Sequence, residues 1–276
     1  MMKEVFRRAL IIYRPTPICL DKAKKIIELL REYGLAVNSF WVDDLIKEMK
    51  IKTDLIVSIG GDGTLLKISR VFQDTTPLIL PIPCGRRTAL YEPFDTDDLE
   101  RILDMVMNGL FTIQTLGRID VVLDNNRYTA LNEVALISID RGRVIRFKIT
   151  AKTPAFISEY YLEGDGILIG ASPGSAAYNL STRGPFIDYF LETIFITPLN
   201  PMELNISPII VPSLSKILIE TMGIMEIYID GERTDILGPH RKILVEHSNR
   251  DFRIIRVYGK KDFIRDVFEK RRISHP

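Results

Sequence analysis

The rhythm of apolar residues changes once along this chain, near Gly109, and that change sets what it can fold into. Before it, short apolar runs alternate with segments of helical period, the sign of a parallel α/β sheet with helical crossovers. Residues 9–13 predict a buried strand. Pro15 and Pro17 follow, then a helix with Ile18, Ile26, Ile27, Leu29 and Leu30 on its apolar positions, ending near Gly34. Further strands are expected over 35–40, 55–59 and 77–82, and helices over 43–49, 64–72 and 95–108. Thr96 is the expected N-cap of the last helix and Gly109 its stop. From residue 111 to about 235 the segments are short, β-branched and alternating. Asp124-Asn125-Asn126, Arg141-Gly142 and Asp230-Gly231 supply turn signals, and only 173–182 looks helical. This predicts a second, all-β domain built as a sandwich. Residues 260–271 carry Phe263, Ile264, Val267 and Phe268 at helical spacing, a helix expected to pack back on the first domain. The expected division is 1–110, with the closing helix 259–276, and 111–258.

Charge and cysteine usage narrow the function. Lys plus Arg number 37 against 36 Asp plus Glu, so no global charge points to nucleic acid or to an anionic membrane. The run Lys270-Arg271-Arg272 reads as a solvated tail. No apolar run approaches the ~20 residues that cross a bilayer, and no signal-peptide pattern opens the chain. Cys19 and Cys84 form no C-x-x-C pattern and read as small buried apolar residues in a reducing compartment, not as a disulfide or a zinc site. The expected location is cytoplasmic. His240, His247 and His275 all lie in the last quarter, which argues against a histidine triad and makes a carboxylate the expected general base.

The chemistry concentrates at Gly60-Gly61-Asp62-Gly63-Thr64, between an expected strand and an expected helix. Glycines there let the backbone turn tightly and present N–H groups to an anion, which a helix N-terminus also favours. The spacing is neither a Walker A loop nor the dinucleotide fingerprint, since Leu66 stands where a third glycine would. A carboxylate inside a phosphate-binding turn makes sense if Asp62 takes a proton from an attacking hydroxyl or meets phosphates through Mg²⁺. An ordinary βα turn with a capping Asp is the other reading. Downstream, Gly164-Asp165-Gly166 precedes an apolar run and then Gly174-Ser175-Ala176-Ala177-Tyr178-Asn179-Leu180-Ser181. Small residues followed by a tyrosine suit a wall for a flat ring, with Ser175 offering a hydroxyl; a tightly packed Pro-started helix is the alternative. Asn132-Glu133 lies in an expected strand with apolar flanks, so at least one of the two faces a core or a cleft.

In order and spacing these pieces resemble the NAD kinase family over almost the whole chain. The shared pieces are Gly60 to Thr64, Asn132-Glu133, Asp165-Gly166, Gly174 to Tyr178, Ile196-Thr197-Pro198-Leu199-Asn200-Pro201 and Ile229-Asp230-Gly231. The resemblance implies a Rossmann-like α/β domain for donor and catalysis, and a β-sandwich domain that binds NAD. It implies phosphoryl transfer from ATP or polyphosphate to the adenosine ribose 2′-hydroxyl of NAD, with Asp62 as general base. Gly60, Gly61, Gly63 and Thr64 would handle phosphate. Asn132, Glu133, Arg143, Asp165, Ser175, Ala176, Ala177, Tyr178, Asn179 and Ser181 would meet the dinucleotide. It also implies Mg²⁺ carried with the nucleotide near Asp62, without a fixed protein site, and a homo-oligomer, dimer or tetramer. The chain departs from the family pattern at Pro173, Ala176, Arg183 and Glu232 and through its second loop, 83–90, where Arg86 and Arg87 add charge suited to a phosphorylated acceptor. Two other readings stand beside this one: a kinase of the same superfamily acting on another hydroxyl, as the lipid and sphingoid-base kinases do, and a nucleotide-binding module without turnover.

Overall fold

The structure, a computed structural model, describes residues 6–46, 51–75, 77–84, 88–94, 98–140, 142–203 and 205–259. The helix expected over 260–271, residues 47–49 of the helix expected over 43–49, Thr96, Arg86 and Arg87 lie outside them; the described start of the 43–49 segment forms only a 3₁₀ turn, Val42–Asp44. The chain divides into two compact units, 1–115 with 253–276 and 116–252.

The first unit holds strands β1 (Arg8–Tyr13), β2 (Ala36–Trp41), β3 (Leu55–Gly60), β4 (Leu78–Pro83) and β5 (Thr112–Leu116), together with helices α1 (Pro17–Glu32), α2 (Asp62–Val71) and α3 (Leu99–Met107). One late strand, β18 (Phe252–Arg256), returns to this sheet, whose order is β2-β1-β3-β4-β18-β5. β1, β2, β3, β4 and β18 pair in parallel, and β3 is buried along its whole length, as a central strand with helices on the sheet faces should be. Cys19, Ala23, Ile26 and Leu30 form the buried stripe of α1. α1 and α3 end alike, at Gly34 and Gly109, both with φ above +70°. In each case the residue after the glycine donates back to the carbonyl five residues earlier, Leu35 to Leu30 at 3.1 Å and Leu110 to Met105 at 2.8 Å. α2 begins at Asp62, two residues before the expected start, because Gly61 already serves as its extended N-cap.

The second unit contains β6 (Ile119–Leu123), β7 (Asn126–Ala130), β8 (Glu133–Ser138), β9 (Ile145–Lys152), β10 (Ile157–Gly164), β11 (Gly166–Ala171), β12 (Thr193–Leu199), β13 (Ile209–Pro212), β14 (Lys216–Thr221), β15 (Met225–Ile229), β16 (Glu232–Leu237) and β17 (Lys242–His247). They form two six-stranded sheets, β10-β9-β14-β17-β6-β7 and β13-β12-β11-β8-β15-β16. Every pairing in them is antiparallel. One core joins Val121, Phe147, Ile149, Ile217 and Ile243 of the first to Val134, Leu136, Ile167, Ile169 and Ile196 of the second, which makes a sandwich. The segment expected to be helical, 173–182, is a 3₁₀ turn (Ser172–Ala176) and then the single turn α4 (Tyr178–Ser181). Asp230 and Gly231, with φ of 49° and 78°, make the two-residue turn joining β15 to β16, as their sequence predicts.

The cysteine expectation is overturned. Cys19 and Cys84 are joined by a disulfide, with Cα atoms 5.7 Å apart and a sequence separation of 65. The parallel order of the sheet lays the start of α1 beside the end of β4, so two distant residues meet there. The pairing removes cysteine usage as an argument for a reducing compartment. Among the described residues no helix is long and apolar enough to cross a membrane.

Candidate functional site

In the first unit the buried strand β3 runs into Gly60, and α2 opens at Asp62. Gly60 has to lack a side chain, because a Cβ there would overlap the Thr64 hydroxyl. Thr64 is buried, whereas Gly63 is exposed with open space on its side-chain position. In the first turn of α2 the Thr64 N–H donates to the Gly61 carbonyl at 2.8 Å. The N–H groups ahead of it have no carbonyl one turn earlier in the helix to meet, and the helix dipole adds positive potential there. This end therefore suits an anion such as phosphate.

The Asp62 carboxylate is half-buried and held by the second loop. Its Oδ2 accepts from the Ala89 N–H at 3.0 Å and its Oδ1 from the Leu90 N–H at 3.0 Å. An ionised carboxylate has about four lone-pair sites, so two remain for a hydroxyl proton. Tyr91, fully buried, donates from its hydroxyl to the Gly61 carbonyl at 2.9 Å and stands 2.9 Å from the Ser58 hydroxyl. Burial drives its phenol far above the ordinary tyrosine range, so it remains a neutral donor.

Residues 90–92 are pinned in turn. Glu92 accepts from the N–H groups of Val257 and Tyr258, and Arg256 donates to the Leu90 carbonyl at 2.8 Å. The disulfide and the Lys22 ammonium, 2.9 Å from the Pro83 carbonyl, fasten α1 to the other end of this loop. Sequence reasoning passed over Tyr91, Glu92 and Arg256. The available signal was the polar pair Tyr91-Glu92 set between Leu90 and Phe94, all four of them buried.

In the second unit Asn132 immediately precedes β8 and Glu133 opens it. Val134 and Leu136 face the sandwich core, so Glu133 shares the opposite face with Ala135. Glu133 is only 5% exposed, and its Oε2 has no hydrogen-bond partner among the described residues. Burial, then the negative charge of Asp230, pushes its carboxyl up to about 8. Across the ladder from Glu133 lies Gly170. A Cβ at Gly170 or at Gly174 would overlap the Asn132 carbonyl oxygen, so both glycines are required for the backbone to close on this pair.

The remaining expected residues fall into two groups. Tyr178 and Ser181 point outward, Ala177 is half-buried and Ala176 is buried. Ser175 and Asn179 turn inward. The Ser175 hydroxyl donates to the Ile187 carbonyl at 3.1 Å and accepts from the Ile187 N–H at 3.0 Å. Asn179 donates to the Pro185 carbonyl at 2.8 Å and accepts from the Thr197 hydroxyl. Asp165 and Arg143 lie at the other end of β8: Ser138 N–H donates to the Asp165 carbonyl, and the Ser138 hydroxyl to that of Arg143. Five strand steps separate them from Glu133, about 17 Å. The Asp165 carboxylate accepts from the Asn200 side chain at 2.8 Å, and Arg143 pairs with Asp140 at 3.5 Å.

Among the described residues no three of His, Cys, Asp or Glu cluster as a metal cage. Asp62 is the one carboxylate in the Gly60–Thr64 turn, so a Mg²⁺ ion there would draw most of its ligands from phosphate and water, as that ion often does.

Residues 13–111 match the family model of the ATP-NAD kinase N-terminal domain, and residues 131–257 that of the ATP-NAD kinase C-terminal domain. An NAD kinase of Pyrococcus abyssi is 30% identical over 243 residues, which span 84% of this chain and 81% of that protein. In fold the chain is similar to a solved NAD kinase from Archaeoglobus fulgidus in complex with ATP, with a TM-score of 0.78, 23% identity, and coverage of 95% of this chain and 98% of the other. It is also similar to yeast NADH kinase complexed with NADH, with a TM-score of 0.84, 20% identity, and coverage of 98% and 88%. The Gly60–Thr64 turn lies inside the first matched segment, and Asn132, Glu133 and Asp230 lie inside the second. With both segments matched in order, and a relative of that identity and coverage, the chain belongs to the NAD kinase family.

Proposed function

We propose that this chain transfers a phosphoryl group from ATP or polyphosphate to the adenosine ribose 2′-hydroxyl of NAD, giving NADP. One observation carries the reading: the Asp62 carboxylate stands in the first turn of α2, oriented by two backbone N–H groups, where the helix end favours phosphate. In the reaction the acceptor oxygen bonds to phosphorus as the bond to the leaving phosphate oxygen breaks. Asp62 takes the hydroxyl proton through a lone pair that Ala89 and Leu90 leave open. The N–H groups of Asp62 and Gly63 that open α2, and the small residues at Gly60, Gly61 and Gly63, let phosphate oxygens approach the backbone closely. Countercharge for the phosphates would come from Mg²⁺ bound with the nucleotide near Asp62.

The first unit is assigned to donor and proton chemistry, and the second to the dinucleotide. Glu133, with a buried and unpartnered oxygen, suits a ligand hydroxyl, and exposed Tyr178 suits an aromatic ring. Ser175 and Asn179 are read as residues that shape this wall from behind. Pro173 and Ala176, two departures from the family pattern, are buried and are read as packing residues. Asp165 and Arg143 are far from Glu133 within one subunit, and a homo-oligomer offers a way for both ends of β8 to serve one site. The cytoplasm, where ATP and NAD are plentiful, is the location this reading favours.

The test uses purified protein with Mg²⁺, ATP and NAD, and chromatographic separation of the products. NADP is the expected product. Phosphorylation of another hydroxyl compound, with NAD left unchanged, would overturn the acceptor assignment.

A further inference from the structure

Asp230 occupies a turn position where its φ of 49° would be met equally well by Asn. Its carboxylate does what an amide cannot. Oδ2 accepts from the Leu131 N–H at 3.0 Å and Oδ1 from the Asn132 N–H at 2.7 Å, across 99 and 98 residues of sequence. An Asn would set its own NH₂ against one of those donors. The N–H of Asp230 closes the ring by donating to the Glu133 carbonyl at 3.0 Å. Three successive residues, 131 to 133, are thus registered on one acidic residue of another hairpin. Asp230 is itself buried, beside a like-charged group, an arrangement a fold does not need merely to make a turn. Arg118, 1% exposed, balances it electrostatically, together with Asp120 and Asp251.

We propose that Asp230 is a positioning residue for the acceptor site: by holding the Leu131 and Asn132 amides it fixes the Asn132-Glu133 pair, so that the free Glu133 oxygen meets a hydroxyl of the dinucleotide. This rests on the kinase reading given above. Among the described residues of the second unit, Gly170 faces Glu133 on β11, Ile229 of β15 pairs with the adjacent Val134, and Gly174 of the 172–176 turn closes on Asn132; none of the three carries charge. Asp230 is the group whose charge acts on it.

The experiment is a double-mutant cycle on full-length protein with Asp230→Asn, Glu133→Gln and the double variant, reading kcat and KM for NAD and for ATP across pH. If Asp230 acts through Glu133, Asp230→Asn lowers kcat/KM for NAD by tenfold or more and leaves KM for ATP within about twofold. The double variant then falls no further than Glu133→Gln alone. Removing the neighbouring negative charge also moves the Glu133 limb of the pH profile, near 8, to lower pH. Additive losses with an unmoved limb overturn the proposal and leave Asp230 a structural residue. Wild-type protein that forms no NADP overturns the kinase reading and this inference together, whereas normal NADP formation with an additive cycle overturns only the inference. Should Asp230→Asn not fold, Asp230→Gly, which tolerates the positive φ and removes both acceptors, takes its place in the cycle.

Discussion

The buried phenol of Tyr91 donates to the Gly61 carbonyl at 2.9 Å, so the turn that opens α2 is gripped from behind by the loop that follows β4. The same loop holds Asp62 from the front through the amides of Ala89 and Leu90. Tyr91→Phe leaves the Gly61 carbonyl and the Ser58 hydroxyl without this partner in a buried place. We expect a loss of about 1–3 kcal/mol in denaturant unfolding. We also expect a fall in kcat of roughly tenfold, because small displacements of a catalytic group are costly. Unchanged kcat with reduced stability would show that Asp62 holds its position without Tyr91.

The Cys19–Cys84 bond closes a loop of 65 residues around the first unit. Chain-entropy reasoning for a loop of that length gives about 4 kcal/mol of stabilisation. Unfolding with and without a reducing phosphine measures it. Wild type is expected to lose stability on reduction, and Cys19→Ser to be as unstable as reduced wild type under both conditions.

Glu133 makes stability depend on pH. Its carboxyl has an ordinary value of 4.5, which serves for the unfolded chain, and is raised to about 8 in the fold. As pH rises through that window the unfolded chain gives up its proton first, so the folded state loses stability from about 4.5 to about 8 and is flat above it. Tm measured for wild type and Glu133→Gln over this range should show wild type falling relative to the variant. Parallel curves would mean that Glu133 ionises freely in the fold.

Asn179 and Tyr178 are neighbours with opposite expected roles. Asn179→Ala removes the partner of the Pro185 carbonyl and of the Thr197 hydroxyl inside the fold, and should cost about 1–3 kcal/mol. Tyr178→Ala, at an exposed position, should leave stability nearly unchanged and weaken NAD binding measured by calorimetry. Equal NAD affinity in Tyr178→Ala and wild type would move the ring site elsewhere.

The parallel sheet, its helix stops and the sandwich were legible because their causes are local: glycines after α1 and α3, alternation along β9, and the Asp230-Gly231 turn. The distant partnerships were not. Asp230 reads as a turn residue because the amides it holds lie almost a hundred positions upstream. Cys19 and Cys84 carry no spacing signal, since sheet order alone brings them together. Ser175 and Asn179 read as part of an outward wall under a continuous helical period. A 3₁₀ turn followed by one turn of helix breaks that period and points both inward.

Asp62→Asn is the most direct measurement of the central claim. Wild type and variant are assayed side by side for NADP formed from Mg²⁺, ATP and NAD, with circular dichroism to establish that both are folded. The account predicts NADP from wild type and a kcat lower by roughly 10²–10⁴ in the variant, the usual reach of a general base. A folded variant that turns over at nearly the wild-type rate would contradict it and remove Asp62 from the chemistry.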